Sequence, residues 1–156
     1  MITAIDTNIL LDVLIHDEDH FQKSKELLDE QLEKGQLVIC EIVYAELASQ
    51  FTADKDLRSF LADTGIKLIH SGEKALYTAG ERWKHYAKNR DQKLQCAHCG
   101  SKMAVTCSKC SQYIYSRQHI ISDFVIAAHA LFHSEILLSR DRGFYRTYFK
   151  DLEVVG

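Results

Sequence analysis

The chain has 156 residues, 46% of them apolar and 26% charged, with a formal net charge of −3 and five cysteines. That length makes about one domain, able to bury roughly two-thirds of its unfolded surface, so disulfides are not needed to fold it. Nowhere do about 18 apolar residues run together, and the start, Met1-Ile2-Thr3-Ala4-Ile5-Asp6, carries no basic leader, so neither a membrane span nor a secretory signal is expected and the cytoplasm is the expected compartment.

In chain order, the pattern predicts a strand over 2–5, a helix over about 8–15, and a second helix over about 18–34 that carries Phe21, Leu27, Leu28 and Leu32 and stops at Gly35. A strand over 36–40 leads into a helix containing Glu46, and a further helix over Leu57, Phe60 and Leu61 ends at Gly65. A strand over 66–69, a long helix over about 73–90, a cysteine-rich insertion, a helix opening at Asp123, a strand at Leu137, a short helix through Phe144 and Tyr148 and a last strand over 152–155 complete the chain. Strands separated by helices imply a mostly parallel sheet covered on both faces, an α/β fold.

Four acids stand out in that order. Ile2-Thr3-Ala4-Ile5 runs into Asp6-Thr7-Asn8, and Ile136-Leu137-Leu138 runs into Ser139-Arg140-Asp141, so both strands deliver a carboxylate to the carboxyl edge where open α/β sheets gather functional groups. Glu46 falls between Ile42 and Val43 on a helical wheel, on the apolar side. Asp123 opens the run Phe124-Val125-Ile126-Ala127-Ala128-His129-Ala130-Leu131-Phe132, which is apolar nearly all round and reads as a buried helix. Asp6, Asp123 and Asp141 also stand at helix starts, where each taken singly is as readily a cap; Glu46 has no such use. Four acids at one sheet edge repel one another unless cations neutralise them, and hard oxygen ligands select Mg²⁺ or Mn²⁺.

The insertion carries Cys96-Ala97-His98-Cys99-Gly100 and Cys107-Ser108-Lys109-Cys110, a C-x2-C-x7-C-x2-C pattern with the spacing of a structural zinc site. Gly100 suits the turn around such an ion, and Ser111 stands where a second glycine is expected. Competing uses are a pair of disulfides or a redox C-x-x-C, which the doubled spacing and the expected compartment disfavour; His98 in place of one thiolate is a variant of the same site. Cys40 ends an apolar strand and reads as a core residue. Of the eight histidines, His129 lies inside the apolar helix and reads as a packed or supporting group, and no Ser-His-Asp or Cys-His constellation competes with the acids.

Charge is unevenly distributed. Residues 74–118 hold nine basic side chains against two acidic ones, an excess of +7 that leaves −10 for the remainder; a four-thiolate zinc lowers the local excess to about +5. An acidic active site needs nearby cations to accept a polyanion, so Lys88, Arg90 and Lys93, with Arg140, Arg142 and Arg146, are candidate nucleic-acid contacts. A solvated helix face is the simpler alternative. Tyr113 and Tyr115 could stack on bases, although packing is the commoner use of a tyrosine.

Ile5-Asp6-Thr7-Asn8 with Leu10-Leu11, Val43-Tyr44-Ala45-Glu46-Leu47, Ser122-Asp123-Phe124-Val125-Ile126-Ala127-Ala128-His129-Ala130 and Leu138-Ser139-Arg140-Asp141-Arg142-Gly143-Phe144 together resemble the PIN-domain nucleases, and within them the VapC-like toxins of toxin–antitoxin pairs. The resemblance covers the chain except roughly residues 93–116. It implies one PIN-like three-layer α/β/α domain over residues 1–156, within which the cysteine spacing sets a small zinc-binding insertion at 94–112. It also implies a Mg²⁺- or Mn²⁺-dependent endoribonuclease, usually a homodimer, held silent by a cognate antitoxin. Carried over by position, Asp6, Glu46, Asp123 and Asp141 are the ligands, with Asn8 and Ser139 as polar helpers. The expected products carry 3′-hydroxyl and 5′-phosphate ends. Ser139 stands where threonine is more usual, and most members lack the insertion. Two other readings use the same residues: a binding module that holds RNA or protein through the knuckle, which would have no reason to keep four acids, and a DNA nuclease or other phosphoesterase on the same acidic site.

Overall fold

The structure, a computed structural model, describes residues 1–89, 93–95, 102–114 and 120–156. In chain order the elements are β1 (Ile2–Ile5), α1 (Thr7–Leu14), α2 (Phe21–Lys34), β2 (Gln36–Ile39), α3 (Glu41–Ala48), α4 (Asp54–Thr64), β3 (Lys67–Leu68), α5 (Glu73–Asn89), β4 (Leu94–Gln95), β5 (Lys102–Met103), β6 (Val105–Thr106), β7 (Tyr113–Ile114), α6 (Ile121–His133), β8 (Ile136–Leu138), α7 (Arg142–Tyr148) and β9 (Glu153–Val155). Five strands form one sheet in the order β3-β2-β1-β8-β9, and every pairing is parallel.

Parallel strands need crossover helices, which cover both sheet faces, so the strands can be apolar on both sides. Ala4, Ile5, Leu37, Val38, Ile39, Ile136, Leu137 and Leu138 are accordingly all buried. Flanking helices on the two faces give the three-layer α/β/α fold expected from the sequence. The run from Phe124 to Ala130 is buried without interruption, which is why α6 shows no polar face. Among the described residues no helix is long and apolar enough to cross a membrane.

The strand order reverses between β1 and β8. Starting from β1, the chain builds outward to β2 and β3, then returns across the sheet to add β8 and β9 on the other side. Ile5 pairs with Leu138, and the Asp6 amide donates to the Leu138 carbonyl at 2.9 Å. The crevice at the carboxyl ends of these two strands is the topological switch point, where open α/β sheets place their ligands.

An aromatic cluster fixes the elements around that crevice. Phe124 of α6 meets Phe144 of α7 edge-on at 5.0 Å, Tyr86 of α5 at 5.6 Å and Phe149 at 6.0 Å. Arg82 closes the cluster from outside: its guanidinium lies 4.4 Å over the Phe149 ring and makes two 2.6 Å hydrogen bonds to Asp151. One of the nine cations in the basic segment is therefore committed to the fold. Because Tyr86 touches Phe124, the carboxyl-terminal end of α5 lies beside the start of α6, and the chain between them leaves and returns near Asp123.

Most boundaries follow the sequence, with physical reasons for the differences. The second helix starts at Phe21 rather than near 18 because Asp17 Oδ1 accepts the amides of Asp19 and His20, at 3.1 and 2.9 Å, and holds these residues in a turn. β3 is two residues long because it pairs only with β2 at the sheet edge. Gly65 ends α4 in the left-handed region, φ 69°, as a glycine stop should.

Candidate active site

Asp6 follows the last residue of β1 and is buried, 7% exposed. Three side-chain donors converge on its Oδ2: Ser139 Oγ at 2.6 Å, Asn8 Nδ2 at 2.8 Å and the Tyr145 hydroxyl at 3.0 Å. Asn8 also donates to Ser139 Oγ at 3.1 Å, and its own Oδ1 accepts the Arg140 amide at 3.2 Å. The polar residues of the β1 and β8 termini thus form one network across the crevice. Burial pushes the Asp6 carboxyl above its ordinary range; the hydrogen bonds from Ser139 and Tyr145 oppose this, and the neighbouring Asp123 adds to it.

The other acids arrive from three helices. Asp141 caps α7, its Oδ1 accepting the Phe144 amide at 3.2 Å, while its own amide donates to Ser139 Oγ at 3.1 Å. Asp123, in the first turn of α6, accepts the Ile120 amide on Oδ2 at 2.9 Å. Glu46 is partly buried on α3, where its Oε2 accepts the hydroxyl of Thr7, the residue after Asp6. Capping and site membership are not exclusive, since a cap needs only one carboxylate oxygen to accept a backbone amide.

Tyr145 reports how these charges are arranged. Its hydroxyl is held well above the usual tyrosine range by burial, by the charge and hydrogen bond of Asp6, and by the charges of Asp123 and Asp141. The charges of three of the four acids therefore act on one phenol, with Asp6 in direct contact and Glu46 joined through Thr7. The donor set, carboxylate oxygens with a buried member that has no ion-pair partner among the described residues, suits a hard divalent ion. Sequence reasoning missed Tyr145 and Thr7. The signal available for Tyr145 was its place in the run Phe144-Tyr145-Arg146-Thr147-Tyr148, four residues past Asp141, where a buried hydroxyl must find a partner.

His129 is 1% exposed, its Nδ1 3.4 Å from Ser71 Oγ and its ring stacked on His133 at 4.8 Å. Burial, then His133, push it down to about 4, so it is neutral at pH 7, in keeping with a packed group. Cys40 is buried and pushed up to about 11, a core thiol.

In the insertion, β4 pairs with β5 and β6 with β7, both antiparallel, and the second C-x2-C, Cys107 to Cys110, lies between the strands of the β6–β7 hairpin. Cys96 and Cys99 lie outside the described residues, as does Arg90. At the second knuckle Cys107 and Cys110 are free thiols, the Ser111 amide donates to the Cys107 carbonyl at 2.8 Å, and Ser111 takes φ 59°, the conformation expected of a glycine there. The amides of Cys110 and Lys109 donate to the Cys107 sulfur and hold it below the ordinary thiol range. Lys88, Lys93, Arg140 and Arg142 are all exposed.

The sequence profile of the PIN domain matches residues 3–150. No curated protein sequence matches the chain. In fold it is similar to VapBC-1 from nontypeable Haemophilus influenzae, with TM-score 0.63, 18% identity and coverage of 99% of this chain and 97% of that one. It is also similar to VapBC2 from Rickettsia felis bound to a promoter DNA fragment, with TM-score 0.58, 17% identity and coverage of 99% and 98%. A third likeness is to DNA-bound VapBC from Salmonella typhimurium, with TM-score 0.56, 14% identity and coverage of 99% and 97%. At these identities the likeness is one of fold.

Proposed function

Because the chain belongs to the PIN domain family, we propose that it is a divalent-metal-dependent endoribonuclease of the toxin type, with Asp6, Glu46, Asp123 and Asp141 as ligands of Mg²⁺ or Mn²⁺. The observation that carries this reading is the buried Asp6 carboxylate at the β1–β8 switch point, held by Asn8, Ser139 and Tyr145, with Asp123 and Asp141 near enough for their charges to act on Tyr145. A divalent ion held there would supply charge to the scissile phosphate and lower the pKa of an attacking water. Asn8, Ser139 and Tyr145 fix the Asp6 carboxylate on one oxygen, which sets the orientation of the other. Thr7 does the same for Glu46. Without cations the site repels phosphate, so Lys88, Arg90, Lys93, Arg140 and Arg142 serve to hold the RNA chain.

The same reading includes a cognate antitoxin, supported by the VapBC fold likeness and by an apolar groove of about 290 Å³ lined by Leu10, Val13, Leu28, Leu32, Phe60 and Ile66. A homodimer and a cytoplasmic location complete it. Structural zinc is assigned to Cys96, Cys99, Cys107 and Cys110, on the cysteine spacing and on the shape of the second knuckle, where two amides face a thiol. Residues 94–112 are then an insert in a single domain of 1–156.

The test is cleavage of a long RNA and a matched single-stranded DNA with Mg²⁺, Mn²⁺ or EDTA. RNA is cut only with the ion, leaving 3′-hydroxyl and 5′-phosphate ends, and Asp6→Asn and Asp123→Asn lower the rate by orders of magnitude with the fold intact. Full activity in EDTA or in either variant overturns the metal reading. Cleavage of DNA alone moves the substrate class to DNA.

A further inference from the structure

Next to the acidic crevice is a second, basic one. Arg140 follows Ser139 directly, and its amide bonds to Asn8, yet its side chain turns to α1, where Nη2 lies 2.9 Å from Asp12 Oδ1. Asp12 is 2% exposed, and its other oxygen accepts Ser24 Oγ at 2.6 Å. A buried carboxylate with both oxygens engaged is a fixed anchor, so Arg140 is held in place across the mouth of a cavity of about 200 Å³ lined also by His20, Lys23, Ser24 and Arg142. Lys23 and Ser24 belong to the first turn of α2, whose 14 residues point the positive end of their dipole at the same opening.

The balance of charges decides what fits. Asp12 cancels Arg140, and Asp17 lies 2.8 Å from the His20 ring; Lys23 and Arg142 make no ion pair among the described residues, so with histidine counted neutral the three cations outweigh Asp12 and Asp17 by one charge. Asp12, Asp17 and His20 could by proximity hold a metal, since their donor atoms all lie within 4.8 Å of one another. The Arg140 guanidinium already occupies the Asp12 carboxylate, and a second cation there would face it directly. The volume is below the roughly 300–1,000 Å³ of pockets for drug-sized ligands, and the charged side chains of the lining, Lys23, Arg140 and Arg142, are all cations, with Ile9, Leu27 and Gly156 completing the wall. These are the features of a site for a small anion.

We propose that this cavity, formed by His20, Lys23, Ser24, Arg140 and Arg142, binds a phosphate of the RNA chain next to the scissile one. The inference rests on the nuclease reading and adds a second anchoring point, from α2, which the sequence did not point to. An RNA strand crossing the Asp6–Ser139 crevice reaches the cavity one residue further on, at Arg140. Two points of attachment fix the direction and register of a flexible strand, which one metal site alone does not.

The experiment measures affinity for a long single-stranded RNA at several salt concentrations in the Asp6→Asn background, which prevents cleavage. Removing one cation that neutralises a phosphate should flatten the salt dependence by about 0.7 in slope for a single strand, so Lys23→Gln gives about 0.7 and Lys23→Gln with Arg142→Gln about twice that. Lys25→Gln, on the same helix but paired with Asp29, serves as the surface control and leaves the slope as it was. Using the same RNA with a 5′-phosphate and with a 5′-hydroxyl separates the sources: equal losses on both mean an internal phosphodiester, and a loss only with the 5′-phosphate means a terminal phosphate. The first supports the proposal, and the second, which puts a chain end in the cavity, overturns it. If melting shows the double variant unfolded, Lys23→Gln alone decides. An unchanged slope in a folded variant overturns the proposal even where the unmodified chain cuts RNA, whereas absence of RNA cleavage by the unmodified chain overturns the nuclease reading separately.

Discussion

The Tyr145 hydroxyl donates to Asp6 Oδ2 at 3.0 Å, linking residues 139 positions apart in the chain. The bond ties α7, which carries Asp141 on its cap, to the end of β1, so two of the acids are set by one contact. Because burial and nearby acids hold the phenol well above its usual range, it remains a donor throughout the working pH range.

Tyr145→Phe keeps the ring packing and removes only this donor. Loss of a hydrogen bond to a buried carboxylate costs about 1–3 kcal/mol. Groups that orient a metal ligand are worth roughly 10–100-fold in metal affinity, so the Mg²⁺ or Mn²⁺ concentration for half-maximal cleavage should rise by at least about tenfold. Recovery of most of the rate at saturating metal marks a positioning role; an unchanged metal requirement rules it out.

Asp6→Asn is expected to abolish cleavage and yet raise the melting temperature of the metal-free protein. The folded-state pKa of Asp6 is raised, mainly by burial, so whatever stability this group contributes is present below its unfolded pKa and is lost as pH rises through the folded one. Above that folded pKa the charged carboxylate is a cost, and the neutral amide removes it while still accepting from Ser139. A gain of about 1 kcal/mol corresponds to roughly 2–4 °C at this chain length. Divalent ions should raise the melting temperature of the unmodified protein and leave the variant nearly unmoved. A variant less stable than its parent in EDTA contradicts this.

His129 gives a pH dependence of stability. Its folded pKa is about 4 against 6.5 for the free side chain. The unfolded chain then takes up the proton first as pH falls, so the contribution is complete above about 6.5 and lost progressively down to about 4, up to about 3 kcal/mol in all. Denaturant melts across pH 4–7 should show that slope, and His129→Leu should flatten it. Parallel profiles for the two proteins would refute the assignment.

Zinc should be present at one ion per chain and survive dialysis. Cys107→Ser should lower both zinc content and thermal stability, whereas Cys40→Ser, which changes a buried core thiol, should leave zinc content unchanged. Elemental analysis finding no zinc in protein prepared without chelators, or disulfides among Cys96, Cys99, Cys107 and Cys110 by mass spectrometry, would contradict it.

Asp6, Asp123 and Asp141 were legible in the sequence because each stands where a strand or loop turns into a helix, a position marked by neighbours in the chain. Glu46 was legible because a charge on an apolar helical face violates a local pattern. Strands β1 and β8 were readable for the same reason, as short apolar runs ending in acids. Tyr145 was not: its helix has seven residues, too few for a periodic pattern, and its partner lies 139 positions away in the chain, at the end of the neighbouring strand β1. Asp12 and Arg140 were also beyond reach. In the sequence Asp12 is an ordinary polar residue of α1, and its burial depends on α2 folding back so that Ser24 can meet it.

The contact between Tyr86 and Phe124 at 5.6 Å clasps the chain on both sides of residues 90–119. With the ends already pinned by core packing, the entropic penalty of whatever runs between them rises only logarithmically, about 0.6 kcal/mol for each doubling in length. The α5–α6 junction is therefore a splice point, open to segments of very different size and charge beside the carboxylates, while the five strands and their register carry on unaltered.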